Sequence, residues 1–129
     1  MTKKAIRILC VEDEAMLRED IVLELRDTGY EVVETGDGMA ALALALSEDF
    51  DLVICDMRLP QLDGLGVLAE LRRGNGVNSC VPFLLLTAFD DPGLRERCKQ
   101  EGVLCLLKPI DYEHLQDIVK RIVDVDQSD

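Results

Sequence analysis

No apolar run in this 129-residue chain approaches the roughly 20 residues that a bilayer-spanning helix requires. Nor does the start read as a secretory leader. Met-Thr-Lys-Lys and a short apolar run lead straight into Glu12-Asp13-Glu14, with no small-residue cleavage site between them. The expected location is therefore cytoplasmic, with no membrane contact. The five cysteines, Cys10, Cys55, Cys80, Cys98 and Cys105, are odd in number, widely spaced and free of any Cys-x-x-Cys pair. That pattern argues against both a disulfide frame and a zinc site. Most of the five sit in apolar runs, where a free cysteine behaves as a small hydrophobe. Cations are scarce too: 14 Lys and Arg stand against 26 Asp and Glu, for a formal net charge of −12. Such a field repels phosphate backbones and argues against direct nucleic-acid binding. The single histidine, His114, follows Asp111 by three residues and reads as a solvated side chain in a first helical turn. Linkers, repeats and low-complexity stretches are all lacking.

What remains is the composition of a folded domain. Hydrophobic residues make up 48% and charged residues 31%, enough for one real core. The expectation is one domain over 1–129, with its core at about 6–125. Four short apolar runs have strand length: Ile6 to Val11, Leu52 to Cys55, Phe83 to Leu86, and Val103 to Leu107. Most are nearly continuous, as in parallel strands covered on both faces. A fifth run, Tyr30 to Glu34, alternates and reads as an edge strand. Helical stripes lie between the runs: Leu17, Ile21 and Leu25; Met39, Leu42 and Leu46 in an alanine-rich segment; Leu65, Leu68 and Leu71; and Leu115, Ile118 and Ile122. Asp37, Asp91 before Pro92, and Asp111 are good N-caps, and Gly29, Gly74 and Gly102 sit where helices should stop. The order βαβαβαβαβα with short connections means an α/β domain around a parallel sheet. Asp91 to Glu101 offers only Leu94 and Cys98 to a core and should be the most loosely held helix.

Ligands of open α/β sheets bind beyond the carboxyl ends of the strands. Glu12 and Asp13 end the first run, Asp56 the third, Thr87 the fourth and Lys108 the fifth. Each has a bland explanation alone: a helix start favouring its positive end, a turn before Pro60, a β-branched strand terminus, a loop lysine before Pro109. Together they require chance to end four strands with complementary chemistry. Magnesium prefers oxygen ligands and is usually held by one or two carboxylates plus phosphate oxygens. A carboxylate beside it can attack a phosphoryl group and form an acyl phosphate. Lys108 can neutralise a phosphoryl oxygen, and the Thr87 hydroxyl can donate to another.

Over roughly Ile6 to Val125 the chain resembles a response-regulator receiver domain of two-component signalling. The matching pieces are Val11-Glu12-Asp13-Glu14, Asp37-Gly38, Asp51 to Asp56, Pro60 with Asp63-Gly64, Leu86-Thr87-Ala88, and Lys108-Pro109. The resemblance implies a flavodoxin-like, doubly wound five-stranded sheet in the order 2-1-3-4-5, with helices on both faces. It also implies that Asp56 is the phosphoacceptor. Asp13 and Asp56 would bind Mg²⁺ directly, Glu12 through water, and the Arg58 backbone carbonyl would supply a further ligand. Thr87 and Lys108 would contact the phosphoryl group. The implied partners are a sensor histidine kinase or phosphotransfer protein and a downstream effector. Such a domain is a phosphorylation-activated switch, not an enzyme beyond catalysing its own phosphorylation and dephosphorylation.

Rival readings meet specific obstacles. Gly36-Asp37-Gly38-Met39-Ala40-Ala41 fits a G-x-G-x-x-A nucleotide fingerprint, yet it follows an expected edge strand, and no second mononucleotide half follows. A haloacid-dehalogenase-like phosphatase would want an aspartate where Arg58 stands. A degenerate receiver acting as a constitutive surface would not need Glu12, Asp13, Asp56, Thr87 and Lys108 intact. Arg72-Arg73 suits the negative end of a helix. Three residues depart from the family pattern. Cys105 occupies the position where receivers usually carry an aromatic ring that moves on phosphorylation. Arg58 stands two residues after the acceptor, where it could pair with phosphoryl oxygens. Phe89 stands two after Thr87, where it could hinder water. With no such ring, the signal is expected to run through Thr87 and the Asp91 to Glu101 helix. Whether the chain is a stand-alone regulator or part of a longer one stays open.

Overall fold

The computed structural model describes residues 5–127, with side chains through Asp124. Met1 to Lys4 and Ser128-Asp129 lie outside the described residues. Strands and helices alternate: β1 (Arg7–Val11), α1 (Ala15–Asp27), β2 (Glu31–Thr35), α2 (Gly38–Ser47), β3 (Leu52–Asp56), α3 (Gly64–Arg73), β4 (Phe83–Thr87), α4 (Pro92–Glu101), β5 (Leu104–Leu107) and α5 (Tyr112–Gln127). All four strand pairings are parallel, in the order β2-β1-β3-β4-β5. Pleating sends alternate residues to opposite faces. Ile8, Cys10, Leu52, Ile54, Leu84 and Leu86 meet α1 and α5. Leu9, Val11, Val53, Cys55, Phe83 and Leu85 meet α2, α3 and α4. The near-continuous apolar runs of β1, β3 and β4 thus have covers on both sides, which is why they do not alternate.

The helix starts follow the capping chemistry. The Asp37 carboxylate accepts from the amides of Met39 (2.7 Å) and Ala40 (3.0 Å), that of Asp91 from Gly93 (2.9 Å), and that of Asp111 from His114 (3.1 Å). Asp63, present in the motif Asp63-Gly64, does the same for α3 through Gly66 (2.8 Å). Gly29 and Gly102 end their helices with positive φ of 106° and 69°, while Gly74 is extended. α4 buries only Cys98, with Leu94 half-buried.

One expectation needs correction. Of the stripe Met39, Leu42 and Leu46, only Leu42 packs against the core: Met39 and Leu46 are exposed, and Ala41 and Ala45 are buried instead. α2 is apolar on every side, so periodicity alone does not choose its buried face. Close approach chooses it. A Cβ at Gly38 would collide with the Leu62 carbonyl, and small alanines continue that tight contact. The Gly36–Gly38 pair that mimics a nucleotide fingerprint therefore has a packing role, beside edge strand β2. β5 lies at the other edge of the sheet, as the order 2-1-3-4-5 implies. Its apolar run is an edge strand paired only with β4, and it leaves Leu104 and Leu107 exposed.

Two polar side chains staple the connections below the sheet. Asn78, 1% exposed, donates to the carbonyls of Ala45 and Glu48, each at 2.6 Å, and accepts from the Phe50 amide at 3.0 Å. Arg72 donates to the carbonyls of Ser79 (3.2 Å) and Val81 (2.8 Å), which accounts for this arginine without a partner protein. Truncating Asn78 orphans three buried backbone groups, each costing about 1–3 kcal/mol before relaxation. Asn78→Ala is expected to lose about 2–4 kcal/mol in urea denaturation while leaving the distant strand-end chemistry unchanged. A loss below about 1 kcal/mol would show that the staple contributes little.

Candidate functional site

The carboxyl ends of β1, β3, β4 and β5 converge because parallel register holds them level. Val11 pairs with Cys55, Asp56 with Leu86, and Thr87 with Leu107. The residues that end these strands therefore share one rim. Gly64 helps to keep the rim compact: a Cβ there would press on the Asp56 carbonyl and on Leu85 Cδ1.

Lys108 is the centre of the cluster. Its Nζ lies 2.8 Å from Glu12 Oε1 and 3.2 Å from Asp56 Oδ1. The environment is nearly dry, with Glu12 0%, Thr87 3% and Asp56 5% exposed. Burial pushes the Asp56 carboxyl above the usual carboxylate range. Lys108 opposes that rise, the charge of Asp13 adds to it, and a bond from the Arg58 amide reduces it. Burial likewise raises the Glu12 carboxyl against the pull of Lys108 and the Glu14 amide. For Lys108, burial works to lower the pKa, but Glu12 and Asp56 outweigh it and hold the ammonium above its ordinary value. The rim thus carries more carboxylate than its one ammonium can neutralise.

Glu12 combines the two roles weighed for it. Its Oε2 accepts from the Glu14 amide at 3.0 Å, just ahead of α1, as a helix-start carboxylate would. Its Oε1 is held by the Lys108 ammonium at 2.8 Å. Carboxylate oxygens of Glu12, Asp13 and Asp56 lie within 4.8 Å of one another. Asp13 is exposed, so the group opens to solvent on one side. An all-oxygen donor set of two buried carboxylates and an exposed one, with room for water, fits a hard divalent cation such as Mg²⁺.

Thr87 and Arg58 complete the surroundings. The Thr87 hydroxyl accepts from the Phe89 amide at 3.1 Å and donates to the Phe89 carbonyl at 3.4 Å. The Arg58 guanidinium does not reach the carboxylates: its Cζ sits 4.5 Å from the centre of the Phe89 ring. Together with Asp13 and Thr87, these two side chains line a cleft of about 960 Å³. The Lys108–Pro109 peptide bond is cis. Cys105 is half-buried, and burial pushes its thiol up to about 11. Cys10 is pushed up to about 12, and Cys55 well above its ordinary value, consistent with unreactive core thiols.

The five strand-end residues are thus brought together as their positions suggested. One supporting residue had no signal in the sequence. Arg18 on α1 donates to the Glu12 carbonyl at 2.7 Å and pairs with Glu34 on β2 at 3.2 Å, pinning the β1–α1 turn. It lies on the polar face of a surface helix, where an arginine carries no periodic mark.

The model of the response regulator receiver domain matches residues 8–120. Among curated proteins, the transcriptional regulatory protein PdtaR of Mycobacterium tuberculosis is 39% identical over 111 residues, covering 84% of this chain and 52% of that protein. The transcriptional regulatory protein ZraR of Escherichia coli is 32% identical over 122 residues, 94% of this chain and 27% of that one. The chain thus spans about half or less of these relatives' lengths. Among solved structures, the chemotaxis response regulator CheY4 of Vibrio cholerae aligns with a TM-score of 0.84 at 30% identity, covering 92% of this chain and 99% of that one. The receiver domain of the sensor histidine kinase PA1611 from Pseudomonas aeruginosa aligns at 0.83 and 35% identity, covering 94% and 99%, and has a magnesium ion coordinated in its active-site cleft. No described helix is long and apolar enough to cross a membrane. Its sheet order, the charge cluster at the strand ends and the family match over residues 8–120 agree, and the chain belongs to the response regulator receiver domains of two-component signalling.

Proposed function

We propose that this domain is switched by phosphorylation of Asp56 in a Mg²⁺-dependent reaction. A sensor histidine kinase or a phosphotransfer protein would be the donor, and a separate effector would read the change. The observation that carries this reading is the single ammonium of Lys108 shared between Glu12 at 2.8 Å and Asp56 at 3.2 Å, beside a buried Thr87. Asp13 and Asp56 would hold the metal directly, Glu12 through water, and the Arg58 carbonyl would add a ligand. When bound, the cation offsets negative charge as the phosphoryl group approaches.

In the transfer step, a carboxylate oxygen of Asp56 forms a bond to phosphorus while the bond from phosphorus to the donor nitrogen breaks. The product is an acyl phosphate. Lys108 can neutralise one phosphoryl oxygen without leaving Glu12, and the Thr87 hydroxyl can donate to another once it gives up its local bonds. Hydrolysis of the acyl phosphate resets the domain. The protein is then a phosphoryl-accepting switch rather than a turnover enzyme.

The test is intact-mass measurement after incubation with a small acyl or amido phosphate and Mg²⁺. Wild type is expected to gain one phosphoryl group, and chelation to prevent the gain. Asp56→Asn is expected to abolish it, and Asp13→Asn to reduce it sharply. Labelling of Asp56→Asn at the wild-type level would remove Asp56 as acceptor.

A second expectation concerns metal-linked stability. Asp13 adds repulsion to an already over-charged rim, so Asp13→Asn is expected to melt no lower than wild type without metal. The gain is at most ~1 kcal/mol for so exposed a charge. Mg²⁺ is expected to raise the wild-type melting temperature by mass action, and that of the variant far less. Equal shifts in thermal melts of both proteins would exclude Asp13 as a ligand.

A third follows from Phe89, an exposed apolar ring at the mouth of the cleft. A carboxylate there can orient an attacking water; a phenyl ring cannot. The wild-type acyl phosphate is expected to outlive that of Phe89→Glu in a time course of the phosphorylated mass. Faster decay in wild type would overturn this role.

A further inference from the structure

The Thr87 hydroxyl is fully committed to one neighbour: it accepts from the Phe89 amide and donates to the Phe89 carbonyl. The Phe89 ring is 53% exposed, an unusual position for the largest apolar side chain near the rim. It packs instead beneath Arg58, 4.5 Å from the guanidinium carbon. This stack joins the β3–α3 connection to the β4–α4 connection across the cleft that holds Asp13 and Thr87. Among the residues lining that cleft, Arg58 is the only cation, while Asp13, Asp63, Asp90 and Asp91 are acidic. Among the described residues Arg58 nonetheless forms no ion pair; the aromatic face holds it, an interaction of modest strength at an exposed site.

Charge gives this arrangement a consequence, which rests on the reading of Asp56 as phosphoacceptor. Three carboxylates and one ammonium leave two negative charges, which a divalent cation cancels. Turning the Asp56 carboxylate into an acyl phosphate replaces one negative charge by roughly two. One negative charge is then in excess, and Arg58 is the cation at hand. We infer that Phe89 and Arg58 form a latch released through Thr87. When the Thr87 hydroxyl turns to the phosphoryl group, its two bonds to Phe89 break. The ring shifts, and the freed guanidinium swings from the phenyl face to the phosphoryl oxygens. Phe89, on the β4–α4 connection, then serves as the moving aromatic of a switch whose β5 position holds the ringless Cys105. Arg58 acts as a second phosphoryl-binding cation, held in reserve until the charge it neutralises exists.

Phenylalanine ring labelling separates this latch from its alternatives, because Phe50 and Phe83 are buried at 4% and 3% exposure and Phe89 is not. On phosphorylation the Phe89 ring resonances are expected to move while those of Phe50 and Phe83 stay nearly fixed. Thr87→Val, which removes the hydroxyl and keeps the shape, is expected to move the Phe89 resonances without any phosphoryl group. In the decay assay, Arg58→Ala is expected to shorten the life of the acyl phosphate about fivefold, as for one lost charge-assisted contact. Arg58→Lys, which keeps the charge, is expected to restore most of it. Phe89→Leu, which removes only the stacking face, is expected to take up the phosphoryl group faster than wild type. A wild-type protein that gains no phosphoryl group overturns the parent reading, and the latch with it. A protein that is phosphorylated but shows unmoved Phe89 resonances, or decay in Arg58→Ala at the wild-type rate, overturns the latch alone.

Discussion

One ammonium between two buried carboxylates is the constraint on which the rest of this molecule turns. Glu12 is fully buried and Asp56 nearly so, and both converge on Lys108 Nζ, with Asp13 close by at the solvent edge. Two unit charges about 4 Å apart interact by ~1 kcal/mol in water and ~4 kcal/mol at the effective dielectric of a protein surface. Three like charges at such spacing are therefore tolerable only with opposing charge among them. Lys108 meets part of that need. Burial first, and a neighbouring carboxylate second, hold the Glu12 and Asp56 carboxyls above their ordinary range in spite of it. On the proposed reading, the remainder attracts first a cation and then, through that cation, a phosphoryl group.

Such a cluster survives only on a rigid support. β1, β3 and β4 have helices on both faces, and their residues at the rim are completely enclosed. The strands cannot slide apart to relieve repulsion without opening two cores, so the electrostatic cost stays local. Compliance is found elsewhere. α4 buries a single side chain, and β5 is an edge strand with exposed leucines. Both adjoin Thr87, the one rim residue whose side chain is bonded to a connecting loop and not to the charge cluster. If Asp56 is the acceptor as proposed, stiffness beneath it and softness beside it would direct a change of charge into movement of α4 and β5.

The legible part of this structure was that governed by periodicity and by strand ends. Parallel strands stack level, so residues that terminate separate apolar runs must meet at one rim, and Glu12, Asp13, Asp56, Thr87 and Lys108 do. Capping by Asp37, Asp91 and Asp111 was equally local and equally readable. The buried face of α2 was not, because a helix apolar all round carries no directional information, and the Gly38–Leu62 approach that orients it spans distant residues. Asn78 and Arg18 were silent for a related reason. Each is an ordinary polar residue whose importance lies in backbone groups far away in sequence, Phe50 and Ala45 for one, Glu12 for the other. Arg58 and Phe89 stood out as departures from the family, but nothing in their spacing said that they touch.

Cys105 is the departure for which the proposed Phe89–Arg58 latch would compensate. A thiol on the half-covered edge strand leaves a groove of about 360 Å³ reaching from Thr87 past Phe89 to His114. Its burial pushes the thiol up to about 11, so at neutral pH it stays protonated and supplies neither charge nor bulk. Nothing on β5 can follow the Thr87 hydroxyl inward. The aromatic that Thr87 does hold lies two residues further along its own connection, hydrogen-bonded through the backbone and stacked on the one cation of the acceptor cleft. On the proposed latch, sensing and neutralising of the new charge sit on two adjacent connections, and β5 is left free of both.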